Sequence, residues 1–175
     1  MLVYVADQLS KVWVVANLTP GEVHPRLGEL LQFVFVRNSG AAFSLASGST
    51  WIFSIAAAVV TVFIIAYAPR IRSRGWAALF GMLLGGTLGN LTDRLLREPS
   101  FGLGHVIDFI QIYGFPAIFN VADIFIVSSM GLFIILTLRG VGIDGTRQTG
   151  KRRHDETDAV STSETEPGSL TGGEN

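Results

Sequence analysis

The chain has 175 residues, of which 49% are hydrophobic and only 15% charged, and its mean hydropathy is +0.45. A soluble domain carries about a quarter charged residues, so an ordinary soluble fold is disfavoured. The net charge of −1 averages an apolar body with an acidic tail, the sequence offers no case for the basic face that nucleic acid needs, and the absence of cysteine excludes disulfides and thiolate catalysis.

In chain order, residues 1–18 are apolar apart from Asp7, Gln8, Ser10 and Lys11. With few residues ahead of Asp7, the stretch reads as the outer part of a first transmembrane helix whose beginning is missing. It has no basic n-region and no small-residue cleavage site, which argues against a signal peptide. Residues 27–45 alternate β-branched and aromatic residues around a polar Arg37-Asn38-Ser39-Gly40 turn and predict a short sheet. Residues 51–68 run for 18 positions without a charge, and Pro69 with Arg70, Arg72 and Arg74 follows. Residues 75–94 form a further apolar run, uncharged as far as Thr92. Residues 95–118, with Pro99, Gly102, Gly104, Gly114 and Pro116, predict an irregular connection. Residues 119–138 are apolar but for Asp123. From residue 144 the chain turns to Ser, Thr, Glu, Asp and Gly, with too few apolar residues for a core, and predicts a disordered tail.

Each long apolar run approaches the roughly 20 residues that span a hydrocarbon layer as a helix. None shows the polar stripe that a buried helix of a soluble bundle would carry. The fold class is thus an all-α membrane protein: helices near 1–18, 51–68, 75–94 and 119–138, a small extracytoplasmic β-region, a membrane unit at 1–143 and a tail at 144–175. The arginines at 70, 72 and 74, and Arg139, Arg147, Lys151, Arg152 and Arg153 after the last helix, should lie in the cytoplasm. Both termini are then cytoplasmic, and residues 19–49 and about 95–118 share the outer face.

Ionisable residues in such helices are costly and mark function by default. Asp7 and Lys11, at i and i+4, read most simply as a structural ion pair. Asn90, Asp93 and Arg94 recur at i, i+3 and i+4, with Arg94 placed to neutralise Asp93. They suit a structural network and a substrate contact equally. Asn120 and Asp123 repeat the i, i+3 spacing, and Asp108 lies in the apolar stretch His105-Val106-Ile107-Asp108-Phe109-Ile110. Asp108 and Asp123 have no neighbouring basic residue in sequence. Two such carboxylates brought together would share a proton, as an aspartic-protease dyad does. Ion translocation uses the same residue types and stays open at this point.

Five blocks bear on that choice. They are Asp7-Gln8-Leu9-Ser10-Lys11, Arg37-Asn38-Ser39-Gly40-Ala41-Ala42-Phe43-Ser44, Gly85-Gly86-Thr87-Leu88-Gly89-Asn90-Leu91-Thr92-Asp93-Arg94, His105 to Ile110, and Phe119-Asn120-Val121-Ala122-Asp123. In this order the chain resembles the lipoprotein signal peptidase (signal peptidase II) family over most of residues 5–138. The resemblance implies four transmembrane helices, an outer β-cradle and a multi-pass place in the bacterial cell membrane. It also implies an aspartic endopeptidase that cleaves prolipoprotein signal peptides before a diacylglyceryl-modified cysteine. The catalytic pair would be Asp108 and Asp123. Asn38, Gly40, Asn90, Arg94, Asn120 and Ala122 would face substrate, Gly86 would leave room for a close contact, and Asp7, Lys11 and Asp93 would serve the scaffold. No metal or organic cofactor is implied. The expected partners are the lipidated substrate and membrane lipid, and the protein is expected to be monomeric. Two departures stand out: the short lead before Asp7, and a long Asp93 to Asp108 gap whose residues 98–103 are expected to reshape the lid over the site. The competing readings are a proton-coupled transporter and an inactive assembly subunit.

Overall fold

The computed structural model describes residues 1–40 and 50–146. Ala41 to Ser44 of the second sequence block, and the tail from residue 147 onward with its basic cluster, lie outside the described residues. Four helices, α1 (Leu2–Asn17), α2 (Thr50–Tyr67), α3 (Arg74–Leu96) and α4 (Val121–Leu138), stand where apolar runs were expected. A 3-10 turn at Ala68–Arg70 containing Pro69 ends α2, because proline lacks the amide needed to continue the ladder.

Two helical stretches, Thr50–Arg70 and Val121–Leu138, are long and apolar enough to cross a membrane, each with a hydropathy of 2.3 and only 17% of its span buried in the protein. Val62, Phe63, Val127 and Leu138 point outward, whereas Ser54, Thr61 and Ser129 are buried. That distribution reverses the one water imposes. It matches a hydrocarbon solvent, in which apolar side chains lose nothing by exposure and polar ones gain by facing other helices.

A three-stranded antiparallel sheet in the order β1-β2-β3 caps one end of the helices: β1 (Val23–Leu27), β2 (Leu31–Asn38) and β3 (Val106–Ile112). Two sequence expectations need correction here. The hairpin turns at Gly28 to Leu30, before the polar Arg37-Asn38-Ser39-Gly40 run, which instead forms the exit of β2. The stretch expected to be irregular holds β3. Its prolines and glycines flank the strand, leaving β-branched Val106, Ile107, Ile110 and Ile112 to pair with β2. A bulge between Phe33 and Val36 breaks the alternation of β2, so that consecutive Val34 and Phe35 are both buried. The sheet is pinned to α1 by a core of Val14, Leu18, Phe35, Ile107 and Phe109. At the opposite end Trp76, Leu79 and Leu136 form a second core, closed by Val141 and Ile143. There the Ile143 carbonyl accepts from the amides of Arg72 and Ser73, and the Val141 carbonyl from Trp76 Nε1 at 2.8 Å.

Glycines on α3 set how closely its neighbours approach. A Cβ at Gly85 would meet Val3 of α1 at 2.7 Å, and one at Gly86 would meet the Ala122 carbonyl oxygen of α4 at 2.7 Å. A Cβ at Gly89 would collide with Asp7. Gly86→Ala should therefore lower the melting temperature in detergent, at a cost of about 1–3 kcal/mol from overpacking against backbone. Gly81→Ala, where nothing lies within 4 Å, should be neutral or stabilising by up to about 1 kcal/mol. Thermal unfolding of the two purified variants side by side tests this, and equal effects would show that α3 and α4 are not in close contact.

Candidate active site

The sheet end of the helices gathers nearly every polar group that the sequence singled out. Lys11 of α1 is fully buried and reaches Asp7 at 2.9 Å and Asp93 of α3 at 2.8 Å, both also fully buried. Asp7 accepts the Ala122 amide at 2.9 Å, tying α1 to the start of α4. Asp93 accepts the Ile107 amide at 3.2 Å, tying α3 to β3. The expected Arg94–Asp93 pairing is not what forms. Arg97, one turn beyond Asp93, takes its Oδ1 at 2.6 Å. Arg94 points the other way, stacks on Phe53 and donates to the Ser39 carbonyl at 3.4 Å. The i+4 spacing of Arg97 was visible in the sequence and was missed.

From this ion cluster a chain of amides runs to two further carboxylates. Asn90 Oδ1 accepts from Lys11 Nζ at 2.9 Å and from Asn120 Nδ2 at 3.1 Å, and Asn90 Nδ2 donates to Asp123 Oδ1 at 2.9 Å. Asn120 caps α4 in a reciprocal box. Its side-chain oxygen accepts the Asp123 amide at 3.0 Å, and its own backbone amide donates to Asp123 Oδ2 at 3.1 Å. Asn120 Nδ2 also reaches Asp108 Oδ1 at 2.6 Å, and Asn38 Nδ2 holds Asp108 Oδ2 at 2.8 Å. Asn38 in turn accepts the Gly40 amide at 2.8 Å, with Gly40 at φ +93°, a conformation open to glycine at little cost.

Asp108 and Asp123 thus have both oxygens oriented by amide donors, and among the described residues neither forms an ion pair. They line one cleft of about 460 Å³ whose wall is apolar: Phe115, Ile118, Phe119, Ile124 and Val127. Burial pushes the Asp108 carboxyl up to about 6; the Asn38 amide opposes the shift, and the Asp123 charge adds to it. Asn120 and Ala122 are fully buried. Asn120 reaches the cleft through its bonds to the two carboxylates. Ala122 sits at the crossing of α3 and α4, where its amide is committed to Asp7 and a Cβ at Gly89 would lie 3.4 Å from its own. Among the described residues no cluster of His, Asp or Glu is disposed to hold a metal ion.

Residues 1–139 match the family model described as signal peptidase (SPase) II. The chain belongs to the signal peptidase II family. It is 64% identical over 148 residues to the lipoprotein signal peptidase of Leifsonia xyli subsp. xyli (strain CTCB07), covering 85% of this chain and 68% of that protein. It is 42% identical over 147 residues to the lipoprotein signal peptidase of Rhodococcus jostii (strain RHA1), covering 84% and 74%. Its fold is similar to a bacterial membrane enzyme solved by the in meso method at 2.3 Å, with a TM-score of 0.69 and 26% identity over 85% of this chain and 90% of that one. Membership of an aspartic peptidase family makes this signal peptidase II a hydrolase and sets aside the transporter and assembly-subunit readings.

Lys11→Met would leave Asp7 and Asp93 charged, buried and short of their shared cation. Breaking a buried network in this way costs about 3–5 kcal/mol. The variant should melt far below the parent in detergent. Adding Asp7→Asn, which keeps an acceptor for the Ala122 amide, should recover part of the loss. A single variant as stable as the parent would show that the cluster is not what joins these elements.

Proposed function

We propose that Asp108 and Asp123 are the catalytic dyad with which this signal peptidase II hydrolyses the bond before the diacylglyceryl-modified cysteine of a prolipoprotein. One observation carries the reading. The two carboxylates share an apolar cleft, each aligned by amides and, among the described residues, free of a cationic partner, while Asp7 and Asp93 nearby are fully paired. A paired carboxylate is stabilised as an anion; an unpaired, buried one is available for proton transfer.

In this reading Asp108 holds the proton, because its burial favours the neutral form, and Asp123 acts as base. Asp123 takes a proton from water, the oxygen attacks the scissile carbonyl, and Asp108 donates to the carbonyl oxygen. Collapse of the tetrahedral species breaks the C–N bond, and a proton passes to the leaving amine of the lipidated cysteine. The products are a signal peptide ending in a carboxylate and a free cysteine amino group. Asn38, Asn90 and Asn120 hold the acids in place, and Gly40 and Arg94 line the approach. The apolar wall formed by Ile124 and Val127 of α4 accepts the signal peptide.

All four helices cross the membrane in this reading. The basic residues Arg70, Arg72, Arg74 and Arg139 at the helix ends away from the sheet support a cytoplasmic location for those ends and for both termini. The sheet and dyad then open at the outer leaflet. The chain works as a monomer in contact with membrane lipid, and residues 1–143 are the peptidase unit.

Cleavage of a synthetic diacylglyceryl-modified lipobox peptide by purified protein is the direct test. Asp108→Asn and Asp123→Asn should each abolish turnover with the fold retained, and a chain ending at residue 146 should keep it. Near-normal turnover in either aspartate variant would refute the dyad.

The pH dependence follows from the Asp108 proton. As pH rises through about 6 the free enzyme loses its acid, so kcat/KM should fall above that value with the slope of one proton. A bound apolar signal peptide removes more water from Asp108 and raises it further, so the alkaline limb of kcat should lie at higher pH than that of kcat/KM. The opposite order would assign the proton elsewhere.

A further inference from the structure

Arg94 is a buried cation, 8% exposed, on the last turns of α3. Among the described residues it forms no ion pair, and its hydrogen bond to the Ser39 carbonyl is long, at 3.4 Å. Ser39 lies between Asn38, whose amide holds Asp108 at 2.8 Å, and Gly40, whose own amide donates to Asn38, so this contact sets Arg94 next to the strand exit that carries the dyad's donor. A guanidinium carries five N–H donors, and among the described residues only one on Arg94 meets a hydrogen-bond acceptor. What holds it is a ring: its Cζ lies 5.2 Å from the centroid of Phe53 on α2. The same ring occupies the space above Gly40, where a Cβ would come within 2.6 Å of Phe53 and 3.2 Å of Arg94 Nη2. Beside it Ser54 donates to the Gly102 carbonyl at 2.6 Å, joining the start of α2 to the 98–103 stretch that the sequence marked as unusually long. Gly104 of the same connection donates to the Arg94 carbonyl at 2.9 Å. Both ends of the Phe53–Arg94 contact are therefore braced by one loop.

We infer that Phe53 is a positioning residue, whose ring holds the Arg94 guanidinium beside the Asp108–Asp123 cleft so that its free donors meet the substrate carbonyl as charge develops there. The inference rests on the dyad reading above. A flexible arginine could pair with either aspartate and suppress its proton transfer. Stacking on an aromatic face fixes the plane of the cation without neutralising it. Phe53 is 41% exposed, so its ring is not a core element that any apolar residue of similar volume would replace at a cost to folding.

The test uses the full chain in detergent and a diacylglyceryl-modified lipobox peptide, with Phe53→Leu, Phe53→Tyr, Arg94→Lys and the Phe53→Leu/Arg94→Lys pair. Phe53→Leu should lower kcat roughly tenfold, between the worth of an exposed and of a desolvated cation–π contact, with KM and melting temperature little changed. Phe53→Tyr keeps the aromatic face and should stay within roughly twofold of the parent. In the Arg94→Lys background, Phe53→Leu should cost little more, because the two residues act as one unit. Parental kcat in Phe53→Leu, failure of tyrosine to substitute, or a full additional loss in the double variant would each overturn the inference. Asp108→Asn run in parallel separates the two readings. If it is inactive while Phe53→Leu is normal, only the role of Phe53 is lost; if it is active, the dyad itself is wrong.

Discussion

Lys11 between Asp7 and Asp93 is the contact on which the rest of the molecule depends. Three charges buried away from water would each cost several kcal/mol if left alone. Their mutual geometry is what makes the burial tolerable: Lys11 reaches both carboxylates, and Arg97 completes the balance at Asp93. The remaining lone pairs take backbone amides from two further elements, Ala122 of α4 and Ile107 of β3. One cluster therefore sets the relative position of α1, α3, α4 and the edge of the sheet. Between membrane helices, where lipid tails are as apolar as leucine, such polar contacts and close glycine packing do what the hydrophobic effect does in water.

The carboxylates of this site divide into two kinds by their partners. Asp7 and Asp93 have cations and are structural. Among the described residues Asp108 and Asp123 bond only to amides, which orient an acid without forming an ion pair with it. Asn90 joins the two sets, since it accepts from Lys11 and donates to Asp123. The ion cluster thereby fixes the direction of the dyad's donors without pairing with either acid among the described residues. Asn120 performs a similar double task, as helix cap and as the donor to Asp108. Two acids on different elements are brought to one cleft by the residue that starts α4.

The connection between α3 and β3 has a further consequence. It turns back on the end of α3 through Gly104, whose Cβ, if present, would clash with the Asp93 carbonyl, and it touches α2 through Gly102. A segment that looks like a plain linker thus buttresses the sheet-side end of α2, a helix otherwise largely exposed to its surroundings. Polar anchoring at that end leaves the remainder of α2 free to present an apolar surface.

Much of this was legible without coordinates, because the governing physics is local or periodic. Four apolar runs of near-spanning length define the helices, since backbone groups in hydrocarbon must bond within their own segment. The Asp7–Lys11 pair follows from i, i+4 spacing, and the absence of any cation near Asp108 and Asp123 marks them as unlike the other acids. What the sequence could not decide was anything set by pairing across distance. Strand β3 was hidden among glycines and prolines because its stability comes from β2, some seventy residues earlier at Asn38 and Asp108. The partner of Asp93 was misassigned because adjacent Arg94 and Arg97 one turn on are both within reach along the chain. Only the tertiary structure turns Arg94 onto Phe53. It alone shows Ala122 buried at the close crossing beside Gly86 and Gly89. Sequence determines which groups are too costly to leave alone in a membrane; tertiary structure decides which of them satisfy one another and which remain free for chemistry.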